Sequence, residues 1–143
     1  MNNNKNITVK QAIDRYIESK TAVLSPSTIY GYKKANQRYL YILHDVKIAK
    51  LDQELIQRAI NKLSYCYSSK TVRNAYGLLH ASLQMFAPDF VYRISLPQKI
   101  KSSFYVPDEN EIKVIYKLIK NTELEIPFLL ASQCGLRPSE ICA

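Results

Sequence analysis

The sequence is poor in the residues that break helices and shape loops. It has only three glycines and six prolines among 143 residues, too few for a loop-rich all-β protein. The three cysteines, Cys66, Cys134 and Cys142, are an odd number and form no CxxC pair. They therefore suggest no disulfide framework, and a reducing compartment is expected. Regularly spaced apolar residues then favour an all-α protein.

Long apolar runs are also missing. No stretch approaches the ~18 residues that a membrane-spanning helix needs, and the polar start MNNNKNITVK lacks the apolar centre of a signal peptide. We therefore expect a cytoplasmic protein that does not enter a membrane. With 47% hydrophobic and 22% charged residues, the composition is that of a globular protein and argues against disorder.

Positive charge is abundant and unevenly distributed. The net charge is +8, and residues 1–94 hold 14 Lys and Arg against 6 Asp and Glu, whereas residues 95–143 hold 6 of each. The whole excess therefore belongs to the first two thirds of the chain. This asymmetry indicates a module that faces a polyanion, joined to one that does not. Nucleic acid is favoured over an anionic membrane surface because no segment has the features of a membrane protein.

Apolar spacing predicts four amphipathic helices in the first part of the chain. Thr8 and Gln11 have the spacing of a capping box ahead of the first helix. The motif SPST from Ser25 suits the start of the second, since serine caps and proline fits the first turn. Asp52 and Ser68 are expected to begin the third and fourth. Four such helices with short connections predict a compact bundle.

The pattern changes after the fourth helix. Residues 95–107, SLPQKIKSSFYVP, are bracketed by two prolines and are predicted to be a linker. A fifth helix is expected from Asp108, and a sixth from about Glu125 to Gln133, ending at Gly135. The apolar content of the sixth predicts burial nearly all round. The predicted organisation is a helical domain in 1–94, a linker in 95–107 and a second domain beginning in 108–143.

The segment LLASQCGLRPSEI resembles the first arginine box of the tyrosine recombinases, the phage-integrase family of site-specific DNA strand-exchange enzymes. The family pattern of an apolar helix, Gly-Leu-Arg, two variable positions and Glu is matched by Gly135, Leu136, Arg137 and Glu140. The helix openings LSPSTIYGYKK and SSKTVRNAYGLLHASLQMF and the capped segment VPDENEIKVI follow the family's order. Cys134 departs from the threonine common there. The resemblance implies an all-α fold: a four-helix core-binding (SAM-like) bundle, a linker and the first helices of a catalytic domain.

The resemblance also implies a chemistry for Arg137. In the family this arginine binds the scissile phosphate while a tyrosine attacks to form a 3′-phosphotyrosyl bond, and Glu140 would support the box. No metal or other cofactor is implied, because arginines supply the positive field. A guanidinium suits the task, since it is always charged and its planar fork matches two phosphate oxygens. The flanking helix ends predict that Arg137 is held on a buried support.

The other catalytic groups of the family, including the nucleophilic tyrosine, follow the arginine box. All 11 tyrosines of this chain precede Arg137, and only six residues follow it. We therefore expect a fragment that binds double-stranded DNA without cutting or joining strands. The resemblance implies that the full-length protein forms tetramers on paired DNA sites, and the fragment is expected to be monomeric or weakly self-associating.

The resemblance implies that the second and fourth helices face the duplex. Hydroxyls and amides near helix starts can hold phosphates, and basic side chains farther along can contact the backbone. The candidates on the second helix are Ser27, Thr28, Tyr30, Lys33, Lys34 and Arg38. Those on the fourth are Ser69, Lys70, Thr71, Arg73 and Asn74, and the linker adds Lys99 and Lys101. The alternative for all of them is a solvated basic face.

Two other functions fit the sequence. One is a non-catalytic DNA-binding regulator, which would keep the DNA-binding helical domain and lack the strand-exchange activity. The other is a helical protein-interaction module in which Arg137 only packs or pairs with a carboxylate. Strongly salt-dependent binding to a duplex would exclude the second of these, because phosphate contacts release counterions.

Overall fold

The computed structural model describes residues 6–89, 91–99 and 103–143, and within these ranges it contains seven α-helices and no β-strand. The helices are α1 (Val9–Lys20), α2 (Pro26–Tyr39), α3 (Gln53–Cys66), α4 (Ser69–Phe86), α5 (Glu109–Ile119), α6 (Glu125–Cys134) and α7 (Pro138–Ile141). The predicted all-α fold is thus confirmed. None of the helices in these ranges is both long and apolar enough to cross a bilayer.

The chain forms two compact units, Met1–Ile100 and Lys101–Ala143. The division lies inside the segment predicted to be a linker. The first unit holds α1 to α4 and the second holds α5 to α7.

Hydrogen bonds at the helix starts follow the predicted caps. Gln11 N donates to Thr8 Oγ1 at 3.2 Å, and Thr8 N donates to Gln11 Oε1 at 3.0 Å, which completes the capping box of α1. At α3, Leu55 N donates to Asp52 Oδ1 at 2.7 Å. These bonds satisfy amides that have no partner inside the helix, so they fix where each helix begins.

The first unit is built around α4, which contacts α1, α2 and α3. Its apolar face includes Val72, Leu79 and Leu83, all buried. Ile13 of α1 and Leu79 are both fully enclosed, with 0% of their surface exposed. Burial of large aliphatic side chains on all four helices is the main stabilising term, at about 1.5–3 kcal/mol for each one fully buried.

The connection between α2 and α3 is folded back onto the start of α1. Val9 N donates to Val46 O at 2.9 Å, and Ile48 N donates to Ile7 O at 3.0 Å. Leu43 adds a buried side chain to the same core. The long connection is therefore an ordered part of the bundle.

A buried polar contact also joins α1, α2 and this connection. Asn36, only 4% exposed, donates from Nδ2 to Asp14 Oδ1 at 2.8 Å. Because Asn36 Oδ1 can only accept, His44 Nε2 donates to it at 2.9 Å. Both ends of the buried amide are thus satisfied, as a buried polar group requires. This accounts for His44 as a structural residue.

The second unit buries less of its side-chain surface than the first. None of its described residues, 103–143, is buried, although α6 contacts both α5 and α7. The expectation that α6 would be buried nearly all round is wrong, since Ile126 is 70% exposed and Leu124, just before the helix, is 62% exposed. The physical reason is that helices of 11 and 4 residues present too little surface to cover it.

Candidate nucleic-acid interface

Five of the predicted contact residues line one groove at the start of α4. The groove has a volume of about 340 Å³ and is lined by Ser69, Lys70, Arg73, Asn74 and Lys99. Positions 70, 73 and 74 share one helical face because they are three and four residues apart. Three of the described lining residues are cations and none is a carboxylate. This arrangement suits a polyanionic ligand.

A serine cap fixes the first turn of α4 beside this groove. Ser68 Oγ accepts a hydrogen bond from Thr71 N at 3.3 Å and lies 3.0 Å from Thr71 Oγ1. The start of α2 repeats the arrangement, where Ser25 Oγ accepts from Thr28 N at 3.3 Å and lies 2.9 Å from Thr28 Oγ1. The hydroxyls of Thr28 and Thr71, predicted to hold phosphates, therefore already take part in the caps. Ser27 Oγ is 3.0 Å from Ser25 Oγ.

Arg73 is the least exposed of the three cations in the groove. Its side chain is half-buried, and Nε donates to Pro97 O at 2.9 Å. Holding Nε fixes the plane of the guanidinium. No described residue accepts a hydrogen bond from its two terminal nitrogens, whose donors could serve another acceptor such as two oxygens of one phosphate.

The remaining described candidates lie on α2. Tyr30, Lys34 and Arg38 follow one another at intervals of four residues and therefore share a face of the helix. All three are exposed, as is Lys33. At the end of α2, Tyr39 packs edge to face against Tyr67, with ring centroids 4.8 Å apart, so this helix ends beside the start of α4. Joint contact of the two helices with a duplex stays a prediction.

Two linker lysines were predicted to contact DNA. Lys99 is exposed and lines the groove with α4. Lys101 lies outside the described residues.

Arg137 stands at the N-terminus of α7. Gly135 ends α6 in the left-handed conformation, with φ +66°, and Pro138 begins α7, as the sequence predicts. Arg137 N donates to Glu140 Oε2 at 2.7 Å, and Arg137 Nη1 lies 3.3 Å from Glu140 Oε1. Glu140 therefore contacts both the backbone and the guanidinium of this arginine.

The surroundings of Arg137 differ from the expectation. Its side chain is 81% exposed, and no described residue of the second unit is buried. The predicted buried support is therefore wrong for this unit, because its three helices enclose no core. The positioning of the arginine comes from local helix ends and from Glu140.

The segment after α4 supplies contacts that the sequence analysis missed. We call residues 91–97 the strap. Tyr92, Ile94 and Leu96 are half-buried against the core of the first unit, whereas the residues between them are exposed. The alternation in VYRISL is the signal that could have revealed a chain lying on an apolar surface.

No group of three His, Cys, Asp or Glu side chains that could hold a metal ion occurs in the part of the chain that the structure describes. The lining residues of the groove offer three cations, a hydroxyl and a carboxamide. Cations and hydroxyls of this kind at the start of a helix are suited to phosphate oxygens.

Residues 8–64 match the family model described as phage integrase, N-terminal SAM-like domain. The matched range covers α1, α2 and most of α3, and α4 with its groove follows it. The match confirms the predicted resemblance to the phage-integrase family over this segment and does not extend to the arginine box. No curated protein and no solved structure matches the chain.

Proposed function

We propose that the first unit binds duplex DNA as the core-binding domain of a site-specific tyrosine recombinase. The match over residues 8–64 supports the family. The groove supports the choice of binding surface, because Lys70 and Arg73 of α4 meet Lys99 of the later segment there. That convergence is the observation that carries the proposal.

The groove would hold the DNA backbone in three ways. The first turn of α4 offers the positive end of the helix dipole. Arg73, fixed through Nε, would present its fork to two oxygens of one phosphate, and Lys70 and Lys99 would act as point charges on neighbouring phosphates. Asn74 beside them has a carboxamide that can pair with a base edge or a sugar oxygen. The exposed cations of α2 would hold a second stretch of backbone.

We further propose that residues 108–143 begin the catalytic domain and that Arg137 binds the scissile phosphate. An exposed pair such as Arg137 with Glu140 contributes little, about 0–1 kcal/mol, so a phosphate can recruit the guanidinium at small cost. There it would stabilise negative charge in the transition state. The nucleophilic tyrosine would lie beyond this segment in a full-length enzyme that assembles as a tetramer. The 143-residue chain would bind DNA as a monomer or a weakly self-associating species, without forming a covalent adduct.

The salt dependence of duplex binding tests this proposal. With about six phosphate contacts, affinity should fall about a thousandfold between 50 and 200 mM salt. A variant with Lys70, Arg73 and Lys99 all changed to Gln should lose about three units from the slope of log affinity against log salt. The charge-matched control changes Lys113, Lys117 and Lys120 of the second unit to Gln and should keep the slope.

Two outcomes would contradict the proposal. If the two triple variants lost the same amount from the slope of log affinity against log salt, binding would reflect net charge alone. Failure of the unaltered chain to bind any duplex at low salt would leave the protein-interaction module as the better description. A covalent adduct on a nicked recombination site would contradict only the expected inactivity of this chain.

A further inference from the structure

We propose that the strap is a built-in part of the binding surface and that Gln57 is a positioning residue that sets where Lys99 stands over the groove. This inference rests on the proposed DNA-binding function. It assigns to α3, which presents no candidate contact of its own, an indirect role in the affinity for DNA.

Gln57 holds the strap by pairing with both backbone groups of one residue. Its Nε2 donates to Ser95 O at 3.0 Å, and its Oε1 accepts from Ser95 N at 2.8 Å. Only a carboxamide side chain offers a donor and an acceptor in this fork. Gln57 Nε2 also donates to Asn61 Oδ1 at 2.9 Å, which fixes the side chain along α3. Neither Ala nor Glu can reproduce both bonds to Ser95.

Two further bonds hold the strap on either side of Ser95. Tyr92 donates from its hydroxyl to Leu51 O at 2.9 Å, and Arg73 Nε donates to Pro97 O at 2.9 Å. The strap is therefore fixed at three positions to three different parts of the first unit: the turn before α3, α3 itself and α4. Half-buried Ile94 and Leu96 pack against the core between these bonds.

The last of these bonds restricts where Lys99 can lie. Two residues of extended chain span at most about 7 Å, so the backbone of Lys99 stays close to Pro97 and to the guanidinium of Arg73. A lysine on an untethered segment would have to be ordered when DNA binds, and that loss of entropy weakens the contact. The strap removes this penalty in advance. Gln57 contributes to this ordering of Lys99 because it holds the middle of the strap.

A double-mutant cycle on Gln57 and Lys99 tests the inference. Lys99→Gln should weaken duplex binding about fivefold to tenfold at 100 mM salt and lower the salt slope by about one. Gln57→Ala should produce much of the same loss although it removes no charge. The double variant should be no weaker than Lys99→Gln, because Gln57 acts through Lys99.

Matched variants separate positioning from general damage. Gln53→Ala, at the exposed start of α3, should leave affinity and slope unchanged. Combining Gln57→Ala with Lys34→Gln should give additive losses, since Lys34 lies on α2. Ser95→Pro removes the amide that bonds to Gln57 Oε1 and should reproduce the effect of Gln57→Ala from the strap side. Hydrogen exchange at the Ser95 amide, measured without DNA, should accelerate in Gln57→Ala.

The outcomes distinguish this inference from the proposed function. If the unaltered chain binds duplex DNA and Gln57→Ala binds equally well, the positioning role is overturned and the DNA-binding function stands. Additive losses from Gln57→Ala and Lys99→Gln would overturn it as well, since they would indicate general destabilisation. If the unaltered chain binds no duplex, the proposed function fails and the positioning role fails with it, whatever the exchange rate at Ser95.

Discussion

Arg73 and Pro97 are joined by a hydrogen bond in which the guanidinium Nε donates to the proline carbonyl at 2.9 Å. The bond connects α4 to the end of the strap, 24 positions later in the sequence. Since Pro97 has no N–H of its own, its carbonyl is the only backbone group that it can offer. Arg73 is therefore bonded to the fold through Nε while its side chain lines the groove.

Replacing Arg73 by Lys should weaken duplex binding about threefold to tenfold although the charge is kept. Lysine cannot donate through a fixed Nε and present a planar fork at once, and one hydrogen bond contributes about 0.5–1.5 kcal/mol. Fluorescence anisotropy with a labelled duplex at fixed salt would measure the change. Arg15→Lys, at an exposed position of α1, is the matched control and should bind like the unaltered chain. Equal affinities for Arg73→Lys and the control would contradict the prediction.

The cap of α4 gives a second prediction, in which two substitutions of Ser68 affect protein stability and DNA binding differently. Ser68→Ala removes the oxygen that accepts from Thr71 N and should lower the free energy of unfolding by about 1 kcal/mol. Ser68→Asp keeps a good cap, so stability should be preserved. Its negative charge beside the groove should nevertheless weaken DNA binding. Urea unfolding tests the first statement, which fails if the free energy of unfolding is as low in Ser68→Asp as in Ser68→Ala. Anisotropy tests the second, which fails if Ser68→Asp binds DNA as tightly as the unaltered chain.

The difference in packing between the two units gives a third prediction. Leu79→Ala opens a cavity at a position that is 0% exposed and should lower the free energy of unfolding by about 2–5 kcal/mol. Leu118→Ala, at a position of α5 that is 77% exposed, should change it by no more than about 0.5 kcal/mol. Urea unfolding followed by circular dichroism measures both. Similar losses would mean that α5 is covered in solution.

Many features of the fold could be predicted because they depend on neighbours in the sequence. The caps at Thr8, Ser25, Asp52 and Ser68 involve residues three positions apart, and local chemistry decides them. The apolar stripes of α1 to α4 likewise follow from helical periodicity. The resemblance found in the arginine box and the helix openings led to the family that residues 8–64 match.

The features that were missed depend on residues far apart in the sequence. Gln57 and Ser95 are 38 positions apart, and no local pattern in α3 marks the glutamine as a partner of the strap. The exposure of α6 was mispredicted because composition records how apolar a helix is, whereas burial depends on what covers it. Whether the α2 candidates and the α4 groove contact one duplex depends on both helices and on the DNA, and it stays a prediction.

Acidification gives a fourth prediction, for the turn between α5 and α6. Two hydrogen bonds lower the pKa of the Glu125 carboxyl below its ordinary 4.5. The larger effect comes from the backbone N–H of Asn121, which donates at 2.7 Å, and the next from the Tyr116 hydroxyl, which donates at 2.8 Å. A lowered pKa means that the stabilisation is present above 4.5 and is lost as the pH falls through the folded value. Tyr116→Phe should raise the pKa of Glu125 towards 4.5, as measured by NMR titration of the carboxyl carbon.

Tyr105→Phe is the matched control for that titration. The Tyr105 hydroxyl bonds to Glu111, and this contact is the largest cause of the lowered pKa of Glu111. Removing it should raise the pKa of Glu111 and leave that of Glu125 unchanged. Equal changes at both carboxyls in either variant would show that the two turns unfold together, against the prediction.

The two-residue alternation of the strap has a consequence for how this protein can vary. Substitutions at Val91, Arg93 or Ser95, other than to proline, change only outward side chains and should be tolerated widely, even between charged and apolar types. A single inserted residue between Tyr92 and Ile94 would reverse the side on which every later residue emerges. Related sequences should therefore vary freely in composition here while keeping the same number of residues, or differing by two.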